Sequence, residues 1–230
     1  MNQTQDRRGV GILALQGAFI EHQTALQRIP SARKINVSLV RTPADLAKCD
    51  ALIIPGGEST TIALLAKLAG LLEPLRQFSK TKPIWGTCAG AILLAQVVEN
   101  TKQGGQELLG GISVTVARNG WGSQVESFEA PLTVTVLEDS EKPFTGVFIR
   151  APVVLALHPS PDAPPIQIVA RLPPEAVPST RLLTGLEDPR TIVAVRQGKH
   201  LLTTFHPELT KDGRFHEYFV QNCILSSHSI

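Results

Sequence analysis

The sequence predicts an α/β fold: a mostly parallel central sheet covered by helices on both faces, with a small antiparallel flap beside it. Three observations lead there. Short apolar runs alternate with helix-periodic segments through the first half of the chain. Beyond Gly104-Gly105 the pattern changes to short alternating strands. The 230 residues suit one well-packed core and are short for two, so residues 1–230 are read as a single domain with a flexible N-terminus over 1–8.

Val10 to Leu15 is a continuous apolar run suited to a buried strand, and after the Gln16-Gly17 turn Phe19, His22, Leu26 and Ile29 recur at helical spacing. Ile35 to Val40 and Ala51 to Ile54 follow as strands. Ser59 or Thr60 is placed to cap a helix carrying Ile62, Leu64, Leu65 and Leu68, which Gly70 ends or interrupts. Ile84 to Thr87 reads as a further buried strand and Ala89 to Val97 as the helix after it, which leaves Cys88 at the junction. Ser113 to Val116 and Leu132 to Val136 make the flap. Nine of the 17 prolines fall between Ala151 and Arg190, so the stretch from about 159 to 189 reads as a surface loop, an insertion without regular structure. Thr191 to Val195 and Leu201 to Phe205, joined at Gly198, form a hairpin ahead of a terminal helix from about Arg214 to Leu225.

Composition narrows the function. With 22 Lys+Arg against 20 Asp+Glu the formal charge is +2, and no basic run interleaves with aromatics, which argues against a nucleic-acid partner. Apolar stretches fall short of the roughly 18 to 20 residues that cross a bilayer, and Met1 to Gly9 is polar, so the expected location is the cytoplasm, with no membrane partner. Cys49, Cys88 and Cys223 lie far apart, with neither a CxxC pair nor His at zinc-finger spacing, which argues against a disulfide framework or a metal site.

Gly86-Thr87-Cys88-Ala89-Gly90 has the spacing of a nucleophile elbow with cysteine at its centre. Residues two before and two after a nucleophile on a sharp strand-to-helix turn must be small for strand and helix to approach. The turn places the sulfur at a helix N-terminus, which favours the reactive thiolate, and offers the Ala89 N–H to an oxyanion. Alone, the pentapeptide also fits a buried cysteine between packing glycines.

His206-Pro207-Glu208 follows an apolar strand, and two residues apart on an extended segment project to one side. His206 then accepts the proton of Cys88 while Glu208 orients the ring; an ordinary strand-end His with a solvated Glu is the alternative. In Pro55-Gly56-Gly57-Glu58-Ser59-Thr60, two glycines free backbone N–H groups to face a cleft as oxyanion donors, and Glu58 is suited to an α-ammonium. A Gly-Gly turn into a capped helix is the plainer reading. All three motifs fall at the C-terminal ends of strands, where open α/β sheets carry their sites.

Together, in this order, the motifs resemble those of class I glutamine amidotransferases of the triad type. More closely, the chain resembles the glutaminase subunits of pyridoxal 5′-phosphate synthases from about Gly11 to Leu225. The likeness rests on Leu13 to Phe19 with Glu21-His22, Pro55 to Thr61, Gly86 to Gly90, Arg118-Asn119 with Gln124 and Glu126-Ser127-Phe128, Phe148 to Pro152, Ala194 to Gly198 and Phe205 to Leu209. It implies a three-layer flavodoxin-like class I glutamine amidotransferase fold. Cys88 is then the nucleophile with His206 and Glu208 its partners; Gly57, Glu58, Ser59, Arg118, Ile149 and Arg150 line the glutamine site; Gln16 couples partner docking to activity. The implied reaction hydrolyses L-glutamine through a γ-glutamyl thioester and passes ammonia to the ring-building lyase subunit, with no cofactor or metal in this subunit.

Two departures stand out: Ser123 replaces a frequent Arg after the aromatic-Gly pair, and the Pro-rich stretch is an addition. Two rivals stay open, a glutaminase serving another synthase and a non-catalytic regulatory subunit of the same fold. Cys49 and Cys223 are expected to be packing residues and His158 and His228 solvated, while His200 and His216 have no motif around them. His22 faces either the partner or solvent.

Overall fold

The computed structural model describes residues 7–101, 104–121, 127–132, 134, 136–176 and 187–226. In chain order, β1 (Arg8–Leu13) leads into α1 (Phe19–Arg28), followed by β2 (Ile35–Val40), α2 (Pro43–Ala47) and β3 (Ala51–Ile54). Next come α3 (Ser59–Leu68), α4 (Leu72–Thr81), β4 (Ile84–Thr87) and α5 (Ala89–Leu94). Eight strands then run with few helical interruptions: β5 (Ala95–Glu99), β6 (Ile112–Ala117), β7 (Ser127–Leu132), β8 (Phe144–Ile149), β9 (Val153–Leu157), β10 (Ile166–Arg171), β11 (Ile192–Gln197) and β12 (His200–Thr203). Helix α6 (Arg214–Phe219) closes the fold and continues as a π-helix over Val220–Leu225.

The main sheet has seven strands in the order β10-β11-β12-β4-β3-β1-β2. Its five strands from β12 to β2 are mutually parallel, and the β10-β11-β12 edge is antiparallel. Successive side chains of the central strands enter two separate cores, Ala51 and Ile53 on one face, Leu52 and Ile54 on the other. A strand buried on both faces needs apolar residues throughout, which is why these runs read as continuous rather than alternating. One core is filled by α1, α6 and the β7-β8 hairpin, the other by α3, α4 and α5.

Register sets the site. Thr203 pairs with Thr87, and Ile54 with Gly86, so β12, β4 and β3 end at one edge of the sheet. Cys88, the His206 turn and the Pro55-Gly56-Gly57 loop therefore emerge side by side. At the elbow, a Cβ on Gly86 would lie 2.4 Å from the Gly90 carbonyl oxygen, and one on Gly90 would lie 2.0 Å from the Ile54 oxygen. Both obstacles are backbone. Gly90→Ala is accordingly expected to destabilise the fold by roughly 3 kcal/mol or more, seen as a lower urea midpoint at unchanged slope; an unshifted midpoint would contradict this close packing.

Several boundaries differ from the sequence reading. The helix after Cys88 stops at Leu94, because Val97 and Val98 pair with Thr115 and Val116 of β6, where β-branched residues pack well. Glu58, rather than Ser59 or Thr60, caps α3, its carboxylate accepting from the Thr61 N–H at 2.8 Å. The flap is two small sheets: β7-β8 is antiparallel, whereas β5-β6-β9 is mixed. Strand β7 ends at Leu132, where the sequence suggested a strand to begin; Val134 is not in a strand, and 133 and 135 lie outside the described residues.

The Pro-rich stretch is not all loop. It contributes β10, which lengthens the main sheet along β11. Pro164-Pro165 and Pro173-Pro174 flank that strand rather than interrupt it, the placement a residue without an N–H allows. Residues 177–186 lie outside the described residues. At the N-terminus, Arg8 already pairs with Ile35 in the sheet, so the expected flexible segment is too long; residues 1–6 are not described.

Candidate active site

Cys88 occupies a backbone conformation that L-residues rarely adopt, φ 46° and ψ −101°. Its N–H donates to the Thr203 oxygen at 2.9 Å, which fastens the bend to β12. The thiol lies 3.9 Å from the Ile149 carbonyl and on the same side as the His206 imidazole, both groups closing on Gly56. Neither group is fully sealed, Cys88 being 6% and His206 7% exposed. The Ala89 N–H opens α5 beside the sulfur, one of the donors a first helical turn leaves unpaired.

His206 is held at both ends. Its N–H donates to the Val147 oxygen at 2.8 Å, linking it to β8 and thereby to Ile149. Its Nδ1 is 2.7 Å from Glu208 Oε1, which leaves Nε2 for the thiol. The expected extended His-Pro-Glu segment is instead a tight turn: Pro207–Leu209 is 3-10 helical with His206 at its N-cap, and Pro207 supplies the first-turn φ. Burial alone would lower the His206 pKa, but hydrogen bonds to Cys88 and Glu208 and their charges outweigh it and raise the value to about 10. Glu208 follows the opposite course. Burial would raise its pKa, yet the electrostatic influence of His22 and the hydrogen bond and charge of His206 hold it below the ordinary carboxylate value.

The Pro55-Gly56-Gly57 loop presses on this pair. A Cβ on Gly56 would sit 2.2 Å from His206 Cε1 and 3.3 Å from Cys88 Cβ. Behind it, the β1–α1 turn closes in: Ala18 N–H donates to the Gly56 oxygen at 3.0 Å, and Gln16 Oε1 accepts from the Glu58 N–H at 2.8 Å. Gln16 thus shapes the loop that carries Gly57 and Glu58.

Glu58 and Arg118, expected to hold opposite ends of an amino acid, are bonded to each other, Arg118 Nη2 donating to Glu58 Oε1 at 2.8 Å. Although partial burial works the other way, hydrogen bonds from Thr60, Thr61 and Arg118 keep the Glu58 carboxyl well below its usual pKa. Gln106 joins the group, its Oε1 accepting from Ser59 at 3.0 Å and from Arg118 at 3.2 Å. Ile149 is 38% exposed beside the thiol. Arg150 follows with an exposed side chain and φ 43°. Ser123, Gln124 and Glu126 lie outside the described residues.

The sequence reading missed Gln106, Thr87 and a pair of histidines, and it offered Gly56 only as a backbone donor, not as a neighbour of His206. His22 is on neither a partner-facing nor a solvent-facing surface: it is fully buried, its Nε2 3.3 Å from Glu208 Oε2. His216 is fully buried as well and lies 3.0 Å from His22. The available signal was His22's place on the apolar stripe of α1 with Leu26. Cys49 and Cys223 are buried, the second with its thiol pKa pushed up to about 12 by burial, as a packing cysteine should be. His200 is also buried and accepts from the Ile84 N–H at 3.2 Å. His158 is exposed and bonded to Thr115; His228 is not described. A cavity of about 500 Å³ lies behind Glu208, between α1 and α6, but neither Cys88 nor His206 lines it. No group of three or more His, Cys, Asp or Glu suited to a metal ion occurs among the described residues.

Comparison with known proteins places the chain in a family. The family model described as the SNO glutamine amidotransferase family matches residues 12–225. A pyridoxal 5′-phosphate synthase subunit PdxT of Herpetosiphon aurantiacus is 49% identical, with 92% of this chain and 98% of that protein covered. A probable pyridoxal 5′-phosphate synthase subunit PDX2 of Arabidopsis thaliana is 45% identical over 92% of this chain and 84% of its own length. A solved glutamine amidotransferase structure superposes with a TM-score of 0.73 at 41% identity, covering 92% of this chain and 97% of that one. The chain belongs to the SNO glutamine amidotransferase family.

Proposed function

We propose that this chain is the glutaminase subunit of a pyridoxal 5′-phosphate synthase, with Cys88, His206 and Glu208 as its catalytic triad. The observation that carries the reading is a thiol on a strained elbow beside an imidazole, both packed about Gly56, with the imidazole Nδ1 bound by a buried carboxylate. Cys88 Sγ attacks the side-chain amide carbon of glutamine. His206 takes up the thiol proton and delivers it to the departing nitrogen, so that ammonia leaves and a γ-glutamyl thioester remains. Water, deprotonated by His206, then attacks the thioester; glutamate departs and the thiol is restored.

Backbone N–H groups of Gly57 and Ala89 take the oxyanion, and donors aimed at developing charge are worth about 3 to 4 kcal/mol in comparable sites. Glu58 receives the α-ammonium and Arg118 the α-carboxylate, so substrate exchanges their mutual ion pair for one at each end of the amino acid. Ser59, Ile149 and Arg150 complete the walls. Gln16, bonded to the Glu58 N–H, gives a partner docked at the β1–α1 turn a grip on the oxyanion loop. Ammonia passes to the ring-building lyase subunit, which joins it to sugar phosphates. We place the protein in the cytoplasm, and no helix among the described residues is long and apolar enough to cross a membrane.

The test is glutamate release from glutamine with and without the lyase subunit. Stimulation by that subunit is the expected result; stimulation only by a different acceptor synthase would overturn the assignment. Arg118→Ala should raise KM for glutamine roughly 10- to 100-fold with a smaller change in kcat, the pattern of lost substrate binding. An unchanged KM would remove Arg118 from the site.

A further inference from the structure

The triad does not end at Glu208. Oε1 of that carboxylate serves His206, while Oε2, completely buried, faces His22 Nε2 at 3.3 Å in an electrostatic contact rather than an aligned hydrogen bond. His22 Nε2 is also 3.2 Å from Thr87 Oγ1, and its Nδ1 is 3.0 Å from His216 Nε2. Among the described residues, His216 Nδ1 has no hydrogen-bond partner. Trp85 holds both rings edge-on, with centroids 5.6 Å from His22 and 4.9 Å from His216.

We propose that His22 and His216 are positioning residues for the glutaminase reaction, a buried imidazole pair that holds Glu208 ionised and oriented toward His206. The inference rests on the triad reading above. Proton placement follows from charge and burial. Facing an ionised carboxylate, His22 must present an N–H at Nε2, which leaves Nδ1 as an acceptor. His216 must then donate from Nε2, and its Nδ1 is a bare lone pair. The opposite arrangement turns a lone pair toward Glu208 and leaves a buried N–H on His216 without an acceptor, a costlier defect than an unused nitrogen lone pair.

Two influences oppose at His22: full burial lowers its pKa and is the larger, while the charge of Glu208 raises it. Burial, then His22, drives His216 well down also. Both rings are therefore neutral, and His22 supports Glu208 as an N–H dipole rather than as a full charge. The groups facing this line are His206 and Glu208 from the turn after β12, Glu21 from α1 beside His22, and Thr87 from β4. Glu21, Glu138, Lys211, Arg214 and Glu217 line the cavity behind Glu208.

The experiment compares wild type, His22→Leu and His22→Gln in the lyase-stimulated assay across pH, with melting temperatures and imidazole nitrogen NMR. Glutamine's amide can donate from near the Nε2 position; leucine cannot. Expected for His22→Leu is a kcat loss of roughly 10- to 100-fold at nearly constant KM, with the acid limb of kcat moved to higher pH because an unsupported Glu208 protonates sooner. His22→Gln should recover most of the rate and the limb. Wild-type NMR should show His22 neutral and protonated at Nε2. The proposal is overturned if His22→Leu keeps the wild-type kcat and acid limb, if Leu and Gln variants lose rate equally at every pH in step with stability, or if His22 carries its proton at Nδ1. Tautomer is read without turnover, so a wild type inactive with the lyase subunit would count against the proposed function alone.

Discussion

Cys88→Ala is expected to lower lyase-stimulated glutaminase activity by at least ~10⁴-fold, the usual consequence of deleting a covalent nucleophile, while the protein stays folded. Alanine accepts the backbone no better than cysteine does, since both carry a Cβ in the positive-φ region. Removing the sulfur also removes the hydrogen bond and charge that raise His206, so its titration should fall from about 10 toward the ordinary imidazole value. Burial then acts with less opposition. Cys88→Gly should be equally inactive but melt higher than Cys88→Ala, because glycine escapes the steric penalty of φ 46°. Residual turnover within tenfold of wild type in Cys88→Ala would end the thioester mechanism.

Gly56→Ala should also cut activity, though less than Cys88→Ala, and should harm the fold less than Gly90→Ala. The new methyl would collide with His206 Cε1 at 2.2 Å and Nδ1 at 2.7 Å. An imidazole side chain can swing away, unlike the backbone oxygen that Gly90→Ala would strike. The loop itself has no room to retreat, because a Cβ on Gly17 would already lie 1.9 Å from the Gly56 oxygen. The ring therefore shifts by about an ångström, and a displacement of that size costs roughly 10²-fold in rate. Kinetics and thermal melting on one preparation decide it. A variant with wild-type kcat would place the catalytic base elsewhere, and one that is unfolded would show that the loop, not the ring, takes the strain.

The two substitutions separate what was legible in the chain from what was not. Cys88 is readable because glycines at positions 86 and 90 mark a sharp strand-to-helix turn within five residues, where a Cβ on Gly86 would strike the backbone of Gly90. Gly56 reads only as a backbone donor beside Gly57, since nothing local says that an imidazole from the end of the chain will press against it. Glu58 and Arg118 were assigned to one substrate, yet their contact and the Gln106 bridge between them emerged only in three dimensions. His22 and His216 read as surface or idle because a lone histidine on a helix has no chemistry until its neighbour across the core is known.

By itself, the sequence determined the strands and turn around the elbow and the double-faced parallel sheet, and it singled out Cys88, His206 and Glu208 as the residues of the proposed triad. Those features depend on local sterics, on apolar period and on spacing within a few residues. Only the tertiary structure decided that β12 lies beside β4, so that His206 meets Cys88, and that β10 is a strand rather than part of a loop. Pairing between distant segments is settled by which apolar faces can be buried together, and no local pattern encodes that choice. The same burial turned Glu208 inward onto His22, where removal from water makes the orientation of a single N–H matter.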